Sequence, residues 1–145
     1  MAEEFPEILL VEDSPDDVAF FVRTLEKAGL GTRLHAIPDG AEALDFIFGT
    51  GRYANRTTSP RPKVIILDLK LPKVSGLEIL RRLKTDAKTR TIPVVVLSSS
   101  QEERDLVESY ALGANSYIVK PMDFDAFGAS VRTLGQYWLQ FNQTP

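Results

Sequence analysis

The run Val64-Ile65-Ile66-Leu67-Asp68 decides the fold. Four apolar side chains follow one another without the alternation of a half-solvated strand, and the run ends on an acid. Such a run reads as a strand buried on both faces, the pattern of a parallel sheet. Moving outward, the pattern returns at Ile8-Leu9-Leu10-Val11, closed by Glu12-Asp13, and at Pro93 to Leu97, which leads into Ser98-Ser99-Ser100. Ser116 to Val119, followed by Lys120-Pro121, is a further strand, and Leu34 to Ile37 is a weaker one.

Helical spacing fills the gaps. Ser14-Pro15-Asp16-Asp17 reads as a helix start: a capping hydroxyl, a proline suited to the first helical position, and two acids at the positive end of the dipole. That helix is predicted to run to about Ala28, with Gly29 as its stop. Asp39-Gly40-Ala41-Glu42-Ala43-Leu44 opens a second helix that fades near Phe48. Gly49 to Pro62 is predicted to be a long loop; it carries Arg52, Arg56 and Arg61 among turn formers that include Thr57, Ser59 and Pro60. Gly76 to about Lys84 places Leu77, Ile79, Leu80 and Leu83 at helical spacing. Glu102 to Leu112 is a fourth helix, stopped by Gly113, and the last begins near Asp123 and reaches Phe141. Five strands alternating with five helices predict an α/β fold, a doubly wound parallel sheet covered on both faces. There is no internal repeat, and no second core-forming block follows the fifth helix. Residues 1–145 are therefore expected to be one domain without an output domain.

Composition narrows the function. The 145 residues include 43% hydrophobic side chains, enough for a packed core. The net charge of -3 argues against a nucleic-acid partner. With no cysteine, disulfides, thiol catalysis and cysteine-ligated metal are excluded. The single histidine, His35, cannot build a multi-histidine metal site and is read as structural. The acidic start, Met1 to Pro6, lacks the character of a secretory signal, and no apolar run suits a membrane span. A cytoplasmic location and no membrane association are expected.

The chemistry lies in what ends each strand. Glu12-Asp13, Asp68, Ser98 and Lys120 terminate the first, third, fourth and fifth strands. In an open parallel sheet these carboxyl ends share one edge, where ligands bind beside the reversal of strand order. The acids can hold a hard divalent cation through oxygen, and magnesium fits best because it tolerates few protein ligands. The cation and Lys120 would offset the charge of an incoming phosphoryl group. Asp68, ending the most apolar strand, is the best candidate for the nucleophile. Taken singly, each feature has a plainer reading: Asp16 and Asp17 as helix-start charges, Ser98 as a cap in competition with Ser99 and Ser100, Lys120-Pro121 as a strand-to-loop transition.

The ordered set Leu9-Leu10-Val11-Glu12-Asp13, Asp68-Leu69-Lys70-Leu71-Pro72 with Gly76, Ser98-Ser99 and Tyr117-Ile118-Val119-Lys120-Pro121 resembles the receiver domains of response regulators, over nearly the whole chain. The resemblance implies a flavodoxin-like (β/α)5 fold with strand order 2-1-3-4-5. It implies that Asp68 is the phosphoacceptor, charged by a histidine kinase, so that the chain is a signalling protein and not an enzyme with a separate substrate. It also implies magnesium on Asp13, Asp68 and the backbone carbonyl of Lys70, with Glu12 assisting. Ser98 and Lys120 would contact the phosphoryl group, and Tyr117 would be an aromatic switch that turns inward on activation.

Within that family the chain looks most like the small regulators paired with phytochrome-type kinases, from the Val11-Glu12-Asp13-Ser14-Pro15 opening, the Gly49–Pro62 insertion and the aromatic Tyr137-Trp138-Leu139-Gln140-Phe141 end. Lys70 departs from relatives that carry asparagine there, which bears on the lifetime of a phosphoryl adduct. Three rival readings fare worse. A phosphatase of the haloacid dehalogenase type expects a second acid where Lys70 stands. A nucleotide-binding module expects a glycine-rich loop after the first strand, where Glu12-Asp13-Ser14-Pro15 stands instead. A purely structural α/β protein leaves the acids unexplained. In the last helix Phe124, Phe127, Val131, Leu134 and Trp138 form a stripe predicted to be buried on the sheet, leaving Tyr137 and Phe141 for a homodimer contact, together with part of the fourth-helix face.

Overall fold

The computed structural model describes residues 6–31, 33–56, 58 and 61–145. The acidic residues 1–5 and the loop residues Thr57, Ser59 and Pro60 lie outside the described residues. In chain order the elements are β1 (Ile8–Val11), α1 (Pro15–Lys27), β2 (Leu34–Ile37), α2 (Gly40–Phe48), β3 (Val64–Leu67), α3 (Gly76–Thr85), β4 (Val94–Ser98), α4 (Glu103–Ala111), β5 (Ser116–Val119) and α5 (Phe124–Gln136). All strand pairings are parallel, in the order β2-β1-β3-β4-β5. The unbroken apolar runs are thus explained: β1 and β3 lie inside the sheet and are buried along their whole length.

Strand periodicity divides the core into two layers. Leu9, Val11, Ile65, Leu67, Val94 and Val96 face α2 and α3, meeting Leu44, Phe46, Ile47, Ile79, Leu80 and Leu83. Their neighbours Ile8, Leu10, Val64, Ile66, Val95 and Leu97 face α1 and α5, meeting Phe21, Leu25, Phe127, Val131 and Leu134. His35 stacks on Phe46 with ring centroids 4.5 Å apart, the structural role expected of it.

The helix starts follow their capping residues. Ser14, Asp39, Ser75 and Asp123 each accept a hydrogen bond from the backbone N–H three residues on. Among its described residues, the Gly49–Pro62 insertion is more than a plain loop. It contains a 3-10 turn, Gly51–Tyr53, and its arginines close the end of α2. Arg56 Nη1 donates to the Phe46 carbonyl at 2.7 Å with its guanidinium 3.7 Å over the Phe46 ring, and Arg61 Nη1 donates to the Ile47 carbonyl at 3.3 Å. Cations on the last carbonyls of a helix satisfy acceptors that the helix itself leaves open.

Two expectations for the last helix need correction. The α-helix stops at Gln136, and Tyr137–Phe141 form a wider π turn, in which Asn142 N–H donates to the Tyr137 carbonyl five residues back. Trp138 and Leu139 both reach the core, while Tyr137 and Phe141 remain 48% and 69% exposed. Phe124 does not join the buried stripe and is 72% exposed. It is the first residue of α5, beyond the strand ends that would cover it, and its contact is with the Phe20 ring at 5.4 Å. Among the described residues no helix is long and apolar enough to cross a membrane.

Candidate functional site

Parallel pairing in register brings the strand ends together. Val11 pairs with Leu67, Leu67 with Val96, and Ser98 with Val119, so the next residue along each chain emerges at one edge. The backbone stitches this edge: Asp68 N–H donates to the Val11 carbonyl (3.1 Å) and Lys120 N–H to the Ser98 carbonyl (2.7 Å). Carboxylate oxygens of Glu12, Asp13 and Asp68 consequently lie within 4.8 Å of one another. β1 and β3 are also where the chain reverses its order across the sheet, the position at which open α/β sheets bind ligands.

The three acids are not equivalent. Glu12 is 5% exposed, and both of its oxygens are engaged, Oε2 by the Ser14 N–H (3.1 Å) and Oε1 by Lys120 Nζ (2.7 Å). Asp13 is exposed, and its carboxylate takes no hydrogen bond among the described residues. Asp68 is partly buried and accepts from the Lys70 N–H at 3.3 Å. Burial pushes the Asp68 carboxyl above the ordinary aspartate range, against Lys120 and the Lys70 and Leu69 amides, and Asp13 pushes it further the same way. Burial also raises Glu12, with the Lys120 hydrogen bond opposing and Asp68 adding to the rise. A cluster of hard oxygen donors held in mutual repulsion suits a divalent cation with oxygen preference. The Lys70 carbonyl accepts none of the described hydrogen bonds and is left as a further oxygen donor beside Asp68.

Lys120 is the site's cation. Its side chain is 13% exposed and pairs with Glu12 Oε1 at 2.7 Å and Asp17 Oδ2 at 2.8 Å. Burial, the largest single influence, opposes its charge, but hydrogen bonds to Asp17 and Glu12 together outweigh it and raise the ammonium above the usual lysine range. Asp17 had a plainer reading in the sequence, as a helix-start charge. Its place three residues after the Ser14 cap is typical of such acids, and nothing local links it to a lysine 103 positions away.

Ser98 is fully buried at the end of β4, and its Oγ accepts the Ser100 N–H at 3.2 Å. Ser100, not Ser98, serves the start of α4, accepting from Glu102 N–H and donating to Asp105. Tyr117 is half-buried against the α2/α3 layer, its hydroxyl donating to the Ser100 carbonyl at 3.1 Å. Gly76 allows the close approach of α3 to this edge: a Cβ there would fall 2.3 Å from the Asp68 carbonyl oxygen and 2.6 Å from Leu69 Cα. Glu12, Asp13, Asp68, Ser98 and Lys120 therefore end their strands at one edge, with Asp17 added to them.

Comparison with known proteins agrees with this geometry. The family model of the response regulator receiver domain matches residues 8–132. A probable methanogenesis regulatory protein of Methanothrix harundinacea, FilR2, is 38% identical over 141 residues, covering 95% of this chain and 86% of its own. The response regulator Rcp1 of Synechocystis sp. is 38% identical over 133 residues, covering 92% of this chain and 88% of its own. The crystal structure of the Mn(2+)-bound form of Rcp1 superposes with a TM-score of 0.88 at 37% identity, covering 95% and 97% of the two chains. That of the phosphorylated cyanobacterial phytochrome response regulator RcpA gives 0.89 at 35% identity, covering 97% and 99%.

Proposed function

The chain belongs to the response regulator receiver family, the signalling domain of two-component systems, and on that premise we propose that Asp68 accepts a phosphoryl group from a histidine kinase. An Asp68 carboxylate oxygen forms the new P–O bond as the P–N bond to the kinase histidine breaks, and the leaving imidazole keeps the electron pair. Lys120 balances charge on the phosphoryl oxygens, and Ser98 donates to one of them once its hydroxyl turns from the Ser100 N–H. A magnesium ion held by Asp13, Asp68 and the Lys70 carbonyl, with Glu12 assisting through water, would supply the remaining positive charge. The engagement of both Glu12 oxygens supports its indirect role.

The observation that carries this reading is the convergence of three carboxylates within 4.8 Å beside a partly buried, doubly paired lysine. The chain is a phosphoacceptor whose only substrate is its own aspartate, whose adduct it also helps to hydrolyse. It works as a receiver in the cytoplasm, and the likeness to Rcp1 and RcpA supports a phytochrome-type kinase as donor. Exposed Tyr137 and Phe141 after α5, with Leu106, Val107 and Tyr110 on α4, support a homodimer through the C-terminal helix. Incubation with magnesium and acetyl phosphate, read by intact mass, is expected to give one phosphoryl adduct in the wild type and none in Asp68→Asn. An equal yield in the variant would overturn the assignment.

A further inference from the structure

We propose that Asp17 is a positioning residue that keeps the Lys120 ammonium off Asp68. The inference rests on the reading of Asp68 as the phosphoacceptor. Asp17 stands three residues after the Ser14 cap, where an acid ordinarily reaches back to the cap's own N–H. That N–H is already taken by Glu12 Oε2, and the Asp17 carboxylate turns to Lys120 instead, its Oδ2 2.8 Å from Nζ. The half of the motif that only stabilises the helix is intact, since Ser14 Oγ accepts the Asp17 N–H. The carboxylate therefore serves something other than the cap.

An ammonium has three N–H donors. Glu12 and Asp17 take two, from separate elements, and fix the direction of the third. Asp68 lies in the same cluster as Glu12, within 4.8 Å, yet it is not among the ion-pair partners of Lys120. Without Asp17, the freed donor would be open to Asp68, which clusters with Lys120's remaining partner Glu12. A Lys120–Asp68 pair would neutralise the nucleophile and fill the space a phosphoryl oxygen must enter. Asp17 thus holds Lys120 close enough to meet the phosphoryl group and away from the oxygen that attacks it.

The test compares wild type, Asp17→Asn, Asp17→Glu and Ser14→Ala with magnesium and acetyl phosphate, where the new P–O bond to Asp68 forms as acetate departs with the electron pair. At saturating acetyl phosphate, Asp17→Asn is expected to react more slowly, on the order of tenfold. Asp17→Glu should recover most of the rate. Ser14→Ala, which loses the cap alone, should melt earlier but react at the wild-type rate. The Lys120 Nζ resonance in 15N-lysine-labelled protein should shift in Asp17→Asn and not in Ser14→Ala. A wild type that takes no phosphoryl group contradicts the reading of Asp68. A reactive wild type matched in rate by Asp17→Asn, or an unmoved Lys120 resonance, overturns the role of Asp17.

Discussion

Asp68 carries a cost that the rest of the fold tolerates. Its carboxyl, like that of Glu12, is raised mainly by burial. A group raised on folding binds its proton more tightly in the native state. Its favourable contribution is complete below the unfolded carboxylate pKa of about 4 and is lost as pH rises through the raised native value. At neutral pH the charged pair is therefore a liability, and Asp68→Asn should raise the melting temperature by roughly 3 °C, for about 1 kcal/mol. The gain should vanish as the pH falls below about 4; thermal unfolding of both proteins across pH measures this, and a variant less stable at pH 7 would contradict it. Millimolar magnesium should stabilise the wild type by binding the native state. Asp13→Ala should remove most of that increment because its exposed carboxylate is open to the ion. Glu12→Gln, which leaves Lys120 paired with Asp17, should keep more of the response to magnesium. Equal magnesium responses in the two variants would count against a direct role for Asp13.

Among the α-helices, α4 buries the fewest residues. Ser109 is its one buried residue, with an Oγ unpaired among the described residues, while Leu106, Val107 and Tyr110 are exposed. A helix with so little buried apolar surface opens at low cost. Its tether is the Tyr117 hydroxyl on the Ser100 carbonyl, at the segment that starts α4. Tyr117 is half-buried there, and in the proposed switch its ring would respond to how Ser98 and Ser100 hold it. Tyr117→Phe should weaken the tether by about 1 kcal/mol, speeding amide exchange in α4 while leaving phosphorylation near the wild-type rate. Ser98→Ala should blunt the change in the Tyr117 environment on adding beryllofluoride; an identical response in that variant would remove Ser98 from the switch. The strands were legible because burial on both faces leaves an unmistakable apolar run, and the site because each run ends on a chemical group. Phe124 and the π turn were not. Whether an apolar residue at a helix end is covered depends on where the sheet stops, and periodicity does not carry that information. Asp17 escaped for a related reason: its partner is fixed by topology and lies on another element.

At the scale of the whole molecule, the face from α4 across β5 to the chain end exposes Leu106, Val107, Tyr110, Val119, Tyr137 and Phe141. Apolar groups gathered in this way mark contact surfaces. If the wild type is the proposed dimer, the double substitution Tyr137→Ser, Phe141→Ser should yield a monomer by light scattering at the same concentration. Both residues lie outside the core, so the variant should keep its fold, and a wild type monomeric at high micromolar concentration would refute the dimer. The central claim is narrower than any of these: one carboxylate, at the end of β3, takes the phosphoryl group. Borohydride reduction converts an aspartyl phosphate into homoserine, which marks the modified residue for peptide sequencing by mass spectrometry. After treatment with magnesium and acetyl phosphate, homoserine is expected at position 68 alone. Homoserine at position 13, or at no position in a protein that has gained the mass, would contradict the account.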